Sequence, residues 1–182
     1  MARAVGGASA LVVVATVTHK KGQSYDIVKA IKQMAETRVL VGVPAAEVFR
    51  KPEPGEPATP INNAALAYIH EHGAPEANIP ARPFMRPGVE NARSEIIDRM
   101  RKIAQMASRG RPAEAMQQAF HALGLRVVAS MKNKINEGVP PPLKPATIAR
   151  RLARGRTGTV PLIDTGQLRN SLSYVVRKVT AK

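Results

Sequence analysis

The chain has 182 residues, and its 28 Lys and Arg against 13 Asp and Glu give a formal net charge of +15. This length allows one domain with extensions, and the absence of cysteine excludes a disulfide framework, a thiolate zinc site and a cysteine nucleophile. The charge excess indicates an acidic partner: nucleic acid, an anionic membrane or the negative face of another protein.

The first predicted element lies in residues 1–21, which we expect to form an N-terminal strand or arm. Leu11 to Thr18 consists mainly of β-branched residues. This composition favours a half-buried strand over the weak signal-peptide pattern that Arg3 to Val17 also fits. The longest apolar run, Ala10 to Ala15, is far shorter than the roughly 20 residues of a transmembrane helix, so we expect no membrane partner.

Residues 22–178 are predicted to form a single domain, followed by a tail at 179–182. In its first part the proline-rich segment Arg50 to Pro60 indicates an exposed loop or a mobile arm, because proline cannot donate to a hydrogen-bond ladder. Residue spacing and capping signals predict three elements around this segment: an amphipathic helix at Tyr25 to Thr37, a strand at Arg38 to Val43, and a short helix at Ala64 to His72 that Asn62 or Asn63 caps and Gly73 ends.

The middle of the chain is predicted to be an extended linker, Ala74 to Pro87, followed by two long amphipathic helices. The linker contains four prolines. The first long helix is expected to end near Arg109 and Gly110, and the second to start at Pro112 and close at Gly138. Each carries one apolar stripe: Val89, Ala92, Ile96, Met100, Ile103 and Ala107 in the first, and Met116, Phe120, Leu123, Val127, Met131 and Ile135 in the second.

The last third is predicted to hold a basic loop at 139–160 and a final strand. Within the loop, Thr147 to Arg154 is expected to be a short helix and Gly155 to Gly158 a tip or mobile loop. In Pro161 to Lys178, Asp164 or Thr165 is expected to cap one helical turn through Arg169, before a strand of alternating residues from Leu172. The element order indicates an α+β fold: a small, mostly antiparallel sheet packed against the two long helices.

Residues with catalytic or metal-binding potential are few. His70 and His72 are two positions apart, roughly 200° around a helix, whereas a zinc-binding helix places its histidines four apart on one face. We therefore favour a solvated helix end over a metal site or metallohydrolase centre there. No P-loop or nucleophile elbow is present, so the sequence predicts neither an enzyme nor a bound cofactor.

The basic residues are densest in one group, and Arg82 with Arg86 forms a second. Such charge suits non-specific binding to phosphates, but the densest group contains no aromatic residue that could stack on a base. A solvated basic face and an interface with an acidic neighbour remain alternatives. The residues of this candidate contact with DNA or an acidic partner are Lys144, Arg150, Arg151, Arg154 and Arg156.

Two stretches together point to a family. One is AYIHEHGAPEANIPARPFMRPGVE, from Ala67 to Glu90, and the other is PLIDTGQLRNSLSYVV, from Pro161 to Val176. In this order, with a helical pair between them, they resemble the tail-completion or neck proteins of long-tailed bacteriophages. The resemblance spans roughly Ile27 to Arg177.

The resemblance implies a structural virion protein without catalysis, assembled in the host cytoplasm and located at the head–tail joint. It implies a homo-oligomeric ring, commonly sixfold, in contact with head-connector and tail-tube proteins, with non-specific contact to passing DNA. A basic nucleic-acid-binding module is the alternative. The motif residues are expected either to build the subunit fold, which we favour, or to form subunit contacts: Pro80, Arg82, Pro83, Phe84, Met85, Asp164, Thr165, Gly166, Leu168 and Arg169.

These motif residues suit such a role physically. Prolines 80, 83 and 87 stiffen the crossing into the long helix, so that Phe84 and Met85 can serve as anchors with little ordering entropy. The turn Asp164-Thr165-Gly166 is expected to set the direction of the final strand, and the Leu168 side chain is expected to pack into the core. The N-terminal extension and the proline-rich segment lie outside the resemblance, and we expect them to be arms that become ordered on contact with neighbours.

Overall fold

A computed structural model describes residues 23–45 and 61–179 of the chain. The predicted N-terminal strand at Leu11 to Thr18 and the proline-rich segment Arg50 to Pro60 lie outside these described residues. The elements, in chain order, are α1 (Gln23–Glu36), β1 (Thr37–Gly42), α2 (Asn63–His72), a 3₁₀ turn (Pro75–Ala77), α3 (Met85–Asn91), α4 (Arg93–Ser108), α5 (Ala113–Asn136), α6 (Pro145–Leu152), α7 (Gln167–Ser171) and β2 (Ser173–Lys178).

The predicted α+β fold class is confirmed. Within the described residues the sheet has two antiparallel strands, in a register that pairs Val39 with Val176 and Leu40 with Val175. Helix α5 packs against both strands, and α4 packs against α5 and α1. No helix in this part of the chain combines the length and the apolar character needed to cross a bilayer.

Helix α5 is the centre of the molecule. All six residues of its predicted apolar stripe are buried, which confirms the pattern: Met116, Phe120, Leu123, Val127, Met131 and Ile135. Gly124 lies beneath the ring of Tyr174 on β2, where a Cβ atom would overlap the ring. The missing side chain therefore lets the sheet approach the helix closely.

Two separate groups of buried residues stabilise the fold. The main core joins α5 to α2, α3, the sheet and the C-terminal segment, and includes Phe84, Met131 and Leu168. A smaller cluster at the other end joins α1, α4 and the start of α5 through Ala30, Ala107 and Met116, with Met34 and Met106 packed around them.

The first long helix predicted from the sequence is wrong in one respect, because it is two helices, α3 and α4, separated at Ala92. In an uninterrupted α-helix the carbonyl of Gly88 would accept from the backbone N–H of Ala92. Here the Gly88 carbonyl accepts a 2.7 Å hydrogen bond from the Ser130 hydroxyl on α5, and the Ala92 N–H donates to Val89 at 3.1 Å. This hydrogen bond from Ser130 lies beside the break. Before the break α3 packs against α5, and after it α4 packs against both α5 and α1.

The predicted extended linker, Ala74 to Pro87, is also partly wrong. It contains the 3₁₀ turn, which ends at Asn78 with a left-handed φ of 56°, and its last residues already belong to α3. Pro87 lies in the first turn of that helix, where the backbone N–H that proline lacks would have no intrahelical acceptor. Proline content alone therefore did not distinguish an extended crossing from a helix start.

The predicted helix ends agree well with the structure. The Asn62 side chain caps α2 by accepting a 2.8 Å hydrogen bond from the Ala65 N–H. Gly73 and Gly138 follow α2 and α5 with φ of 80° and 84°, a conformation that glycine adopts without steric strain. These signals are local in sequence, which explains why they could be interpreted without the fold.

Candidate functional site

Glu71, near the end of α2, joins the two parts of the first motif, which are helix α2 and the crossing that leads into α3. Its Oε2 accepts hydrogen bonds from the backbone N–H groups of Phe84 at 2.8 Å and Met85 at 2.9 Å, and its Oε1 accepts from the N–H of Arg86 at 2.9 Å. The first N–H groups of a helix have no intrahelical acceptor and carry partial positive charge, so a carboxylate there is doubly favourable. Glu71 thus caps α3 from a different helix.

The proline-braced crossing places its side chains in very different surroundings. Phe84 is fully buried in the main core and Met85 packs against that core, as expected for anchors. Pro80 is half-buried, whereas Pro83 is exposed. Pro83 thus lies on the outer side of the crossing, while the residue after it fills the core.

Arg82 is the buried charged residue of the motif, with only 7% of its surface exposed. Its Nε and Nη2 donate to the backbone carbonyls of Pro141 and Pro142 at 2.8 and 3.1 Å. These bonds hold the segment that follows α5 against the crossing. Burial, and to a smaller extent the charge of Arg151, lower the pKa of the guanidinium from its ordinary value.

The sequence predicted that Asp164 or Thr165 caps α7, and of these two only Thr165 accepts a hydrogen bond from a backbone N–H of α7. Gly166, with a left-handed φ of 79°, occupies the cap position, and the Thr165 hydroxyl accepts a long 3.4 Å hydrogen bond from the Gln167 N–H. The Asp164 carboxylate turns towards the basic loop, where its Oδ2 accepts a 2.6 Å bond from Arg156. Asp164 therefore links the second motif to the basic loop.

Arg151 completes this link from α6. Its Nε lies 3.5 Å from Oδ1 of Asp164, and its Nη1 donates to the carbonyls of Gly158, Val160 and Ile163 at 3.0, 3.1 and 2.8 Å. One guanidinium thus organises the whole turn between α6 and the second motif. We expect the turn to depend on Arg151 for its shape.

The end of the second motif packs into the subunit. Leu168 is buried in the main core, as predicted, and α7 lies against α2. Arg169 donates a 2.9 Å hydrogen bond to the Asn136 side chain at the end of α5. These contacts attach the second motif to the rest of the subunit, and whether the motif residues also form subunit contacts stays a prediction.

The five basic residues grouped in the sequence are divided by the structure. Arg151 and Arg156 bind Asp164 and backbone carbonyls within the subunit. Lys144, Arg150 and Arg154 have exposed side chains, and Lys144 donates a 3.1 Å hydrogen bond to the Asn78 side chain. The predicted contact with DNA or an acidic partner therefore has less available charge than the sequence suggests.

A cleft of about 320 Å³ lies between α2, the crossing, α6 and the second motif. We call it the Arg82 cleft. Its walls are largely apolar, and the side chains that form them include Leu66, Ile79, Leu143, Leu162 and Leu168. The resemblance motifs thus border one concave site.

Charged and polar groups are concentrated in the same cleft. Arg82, Lys144 and Arg151 line it with one carboxylate, that of Asp164, so three positive charges and one negative charge give a formal +2. His70 also lines the cleft, and its Nδ1 is buried without a hydrogen-bond partner among the described residues. Burial, and then the charge of Arg82, lower the pKa of His70 below its ordinary value of 6.5.

The two histidines of the HEH sequence have separate environments. His72 is exposed, stacks on Tyr68 with ring centroids 4.3 Å apart, and its Nδ1 lies 3.1 Å from the Tyr68 carbonyl oxygen. His70 lies in the Arg82 cleft. Among residues 23–45 and 61–179 no group of three or more His, Asp or Glu side chains has a metal-binding arrangement.

A second surface has apolar residues that the described part of the chain does not cover. On the outer face of the sheet Leu40 and Val175 are opposite each other and are 44% and 50% exposed. The next outward-facing pair is Arg38 and Arg177, which places two like charges directly across the strands. We call these four residues the outer sheet face.

Helix α1 also exposes apolar residues. It buries Ala30 in the small cluster, but Tyr25, Val28 and Ile31, spaced three residues apart, are 72%, 65% and 45% exposed. A helix in contact with a single core needs only one apolar stripe. The second stripe of α1 is therefore available for another contact.

Sequence reasoning did not identify Glu71 or the cleft position of His70. The only local signal for Glu71 was an acidic residue just before the glycine that ends α2. Comparison with protein-family models, with curated proteins and with solved structures found no match to this chain.

Proposed function

We propose that this protein is a non-enzymatic structural subunit of a virion, a neck or tail-completion protein that forms a closed homo-oligomeric ring at the head–tail joint of a long-tailed bacteriophage. The proposal combines the resemblance of the two motifs with one structural observation. That observation is the two-stranded sheet, whose outer face and outer edges are not covered by described residues.

The sheet is the strongest support for assembly. Helix α5 covers one face of the sheet, and an unpaired strand edge is a template for pairing with another chain. The exposed pair Leu40 and Val175 adds apolar area to this edge. A neighbouring subunit that packs on the outer sheet face would bury the apolar pair, and a strand added at an edge would pair the backbone groups that have no partner among the described residues.

The charge pattern supports a partner with acidic groups. Arg38 and Arg177 would repel each other across the strands unless a carboxylate or phosphate screens them. The chain as a whole has a formal charge of +15, so a ring would concentrate positive charge. Acidic residues of neighbouring virion proteins, or passing DNA, are the natural counter-charges.

The experiment that tests the proposal is electron microscopy and mass photometry of the purified full-length protein. We expect closed rings, and we expect the double substitution Leu40→Ser with Val175→Ser to shift the protein towards monomers. Leu125→Ser is the matched control, because Leu125 is a 60% exposed leucine on α5. Circular dichroism checks that each variant keeps its helices.

A monomeric wild-type protein at micromolar concentration would contradict the ring. Rings that persist in the double variant would contradict the role given to the outer sheet face. Detection of the protein in purified virions by mass spectrometry tests the proposed location independently, and its absence from particles would overturn the assignment to the head–tail joint.

A further inference from the structure

Arg82 is a buried cation that forms no ion pair with any described residue. Its two hydrogen bonds are to the neutral carbonyls of Pro141 and Pro142. A guanidinium has five N–H donors, so three of them have no acceptor in the described part of the chain. No Arg82 nitrogen is both buried and unpartnered, so the unpaired Nη1 is accessible to solvent and to an anion that enters from it.

The surroundings of Arg82 indicate that the missing partner enters from the Arg82 cleft. Arg82 lines this cleft together with Lys144 and His70, and the buried Nδ1 of His70 also lacks a partner among the described residues. The Lys144 ammonium has three donors, of which one bonds to Asn78. Two cationic donors and an unpartnered ring nitrogen, from three different segments, thus line one concavity.

The walls limit which anion fits. Four leucines and one isoleucine, Leu66, Ile79, Leu143, Leu162 and Leu168, supply apolar surface, which favours a ligand with an apolar portion. The formal charge of +2 in the lining attracts an anion, and the one carboxylate, that of Asp164, weakens this attraction. The planar fork of an arginine matches the two oxygens of a carboxylate.

From these features we infer that the Arg82 cleft binds a singly charged carboxylate carried on a short apolar group, with the carboxylate against Arg82 and Lys144. The carrier is either a free aliphatic acid or an acidic side chain or terminus of another protein. The inference does not depend on ring formation, because every residue involved belongs to one subunit.

The test uses hexanoate as the probe and the full-length protein, with hexanamide and inorganic phosphate as matched ligands. Hexanamide keeps the apolar chain without the charge, and phosphate keeps the charge without the chain. We expect saturable changes in the NMR signals of the His70 imidazole with hexanoate. We also expect an upward shift of the His70 pKa, because a bound anion stabilises the imidazolium.

Variants assign the effect to the cleft. Lys144→Gln is expected to weaken hexanoate binding about fivefold, which corresponds to loss of one solvent-accessible charge interaction. Lys102→Gln, on the exposed face of α4, is expected to leave it unchanged. Arg82→Gln is expected to abolish binding, and Lys144→Gln keeps the test valid if that variant fails to fold.

Three results would overturn the inference. Equal responses to hexanamide and hexanoate would show that the carboxylate is not recognised. Equal responses to phosphate and hexanoate would show general charge screening, and no response of His70 to hexanoate would show that the cleft does not take this class of ligand. Two peptides separate the sources, one with an internal glutamate and blocked termini and one with a free C-terminal carboxylate. Competition with hexanoate by either peptide supports a protein-borne carboxylate, and competition by neither supports the free acid.

Discussion

The carboxylate of Glu71 accepts a 2.8 Å hydrogen bond from the backbone N–H of Phe84, thirteen residues further along the chain. Phe84 is the most deeply buried aromatic side chain of the main core. The bond therefore fixes the backbone at the point where the crossing turns into α3 and enters the core. In the same region the Arg82 N–H donates to the His70 carbonyl at 2.6 Å, so α2 and the crossing are held together at adjacent positions.

Replacing Glu71 by alanine is expected to lower the free energy of unfolding by about 2–3 kcal/mol. Three backbone N–H groups at the start of α3 would lose a charged acceptor. Urea denaturation measures the change. Glu76→Ala, which removes an exposed carboxylate a few residues away, is the control, and an equal loss in both variants would contradict the capping role.

Asp164→Asn is expected to destabilise the protein by about 1–3 kcal/mol, because Arg151 and Arg156 would lose their shared carboxylate in a partly buried position. Asp98→Asn is matched to it, since Asp98 pairs with Arg101 on the surface of α4. Such exposed pairs contribute about 0.5 kcal/mol or less. Thermal unfolding of both variants compares them, and similar midpoints would refute the closure of the basic turn by Asp164.

Gly88→Ala is expected to destabilise the protein by about 1–3 kcal/mol despite the better helix propensity of alanine. A Cβ atom at Gly88 would lie 2.6 Å from the Cα of Met131, so the backbones of α3 and α5 would have to separate. Gly158→Ala should have little effect, because the nearest atom to its Cβ lies at 3.8 Å. Denaturant midpoints distinguish the two, and an unchanged or more stable Gly88→Ala protein would contradict the close contact.

The buried His70 is expected to make stability depend on pH. Its pKa in the folded protein is below the ordinary value of 6.5, so the unfolded chain binds the proton more readily. Its contribution is fully present above about pH 6.5 and is lost as the pH falls from there through the folded pKa. In urea denaturation between pH 5 and pH 7, His70→Gln should flatten this decline. His72→Gln, at an exposed site, should not, and an identical pH profile for wild type and His70→Gln would count against the buried position.

Elements that depend on local signals could be predicted from the sequence. The stripe of α5, the caps of α2 and the alternation in β2 are patterns within one segment, and the structure confirms them. The break at Ala92 could not be predicted this way, because the stripe from Val89 to Ala107 continues across it. The hydrogen bond beside the break joins Ser130 to the Gly88 carbonyl, 42 residues apart in the chain, and no pattern within the helix reports that contact.

The candidate site was predicted only in part. Arg82, Lys144 and Arg151 were selected as basic residues, yet the sequence could not show that one is buried, one exposed and one tied to a loop. Asp164 and Thr165 were alternatives for the cap of α7, because aspartate and threonine are both favoured before a helix, and only Thr165 accepts a hydrogen bond from α7. In the folded protein Arg151 and Arg156 lie within ion-pair distance of the Asp164 carboxylate. These ion pairs, which depend on the tertiary structure, outweigh the local preference for a helix cap.

The separation of the buried residues into two clusters has a dynamic consequence. Helix α1 packs against the smaller cluster, which contains Ala30 and Met116, whereas most of the buried residues of α5 belong to the main core. Regions with few apolar contacts open at lower free energy than the global unfolding reaction. Amide protons of α1 should therefore exchange with solvent faster than those of central α5, and the molecule should behave as a rigid body with one end that can loosen independently.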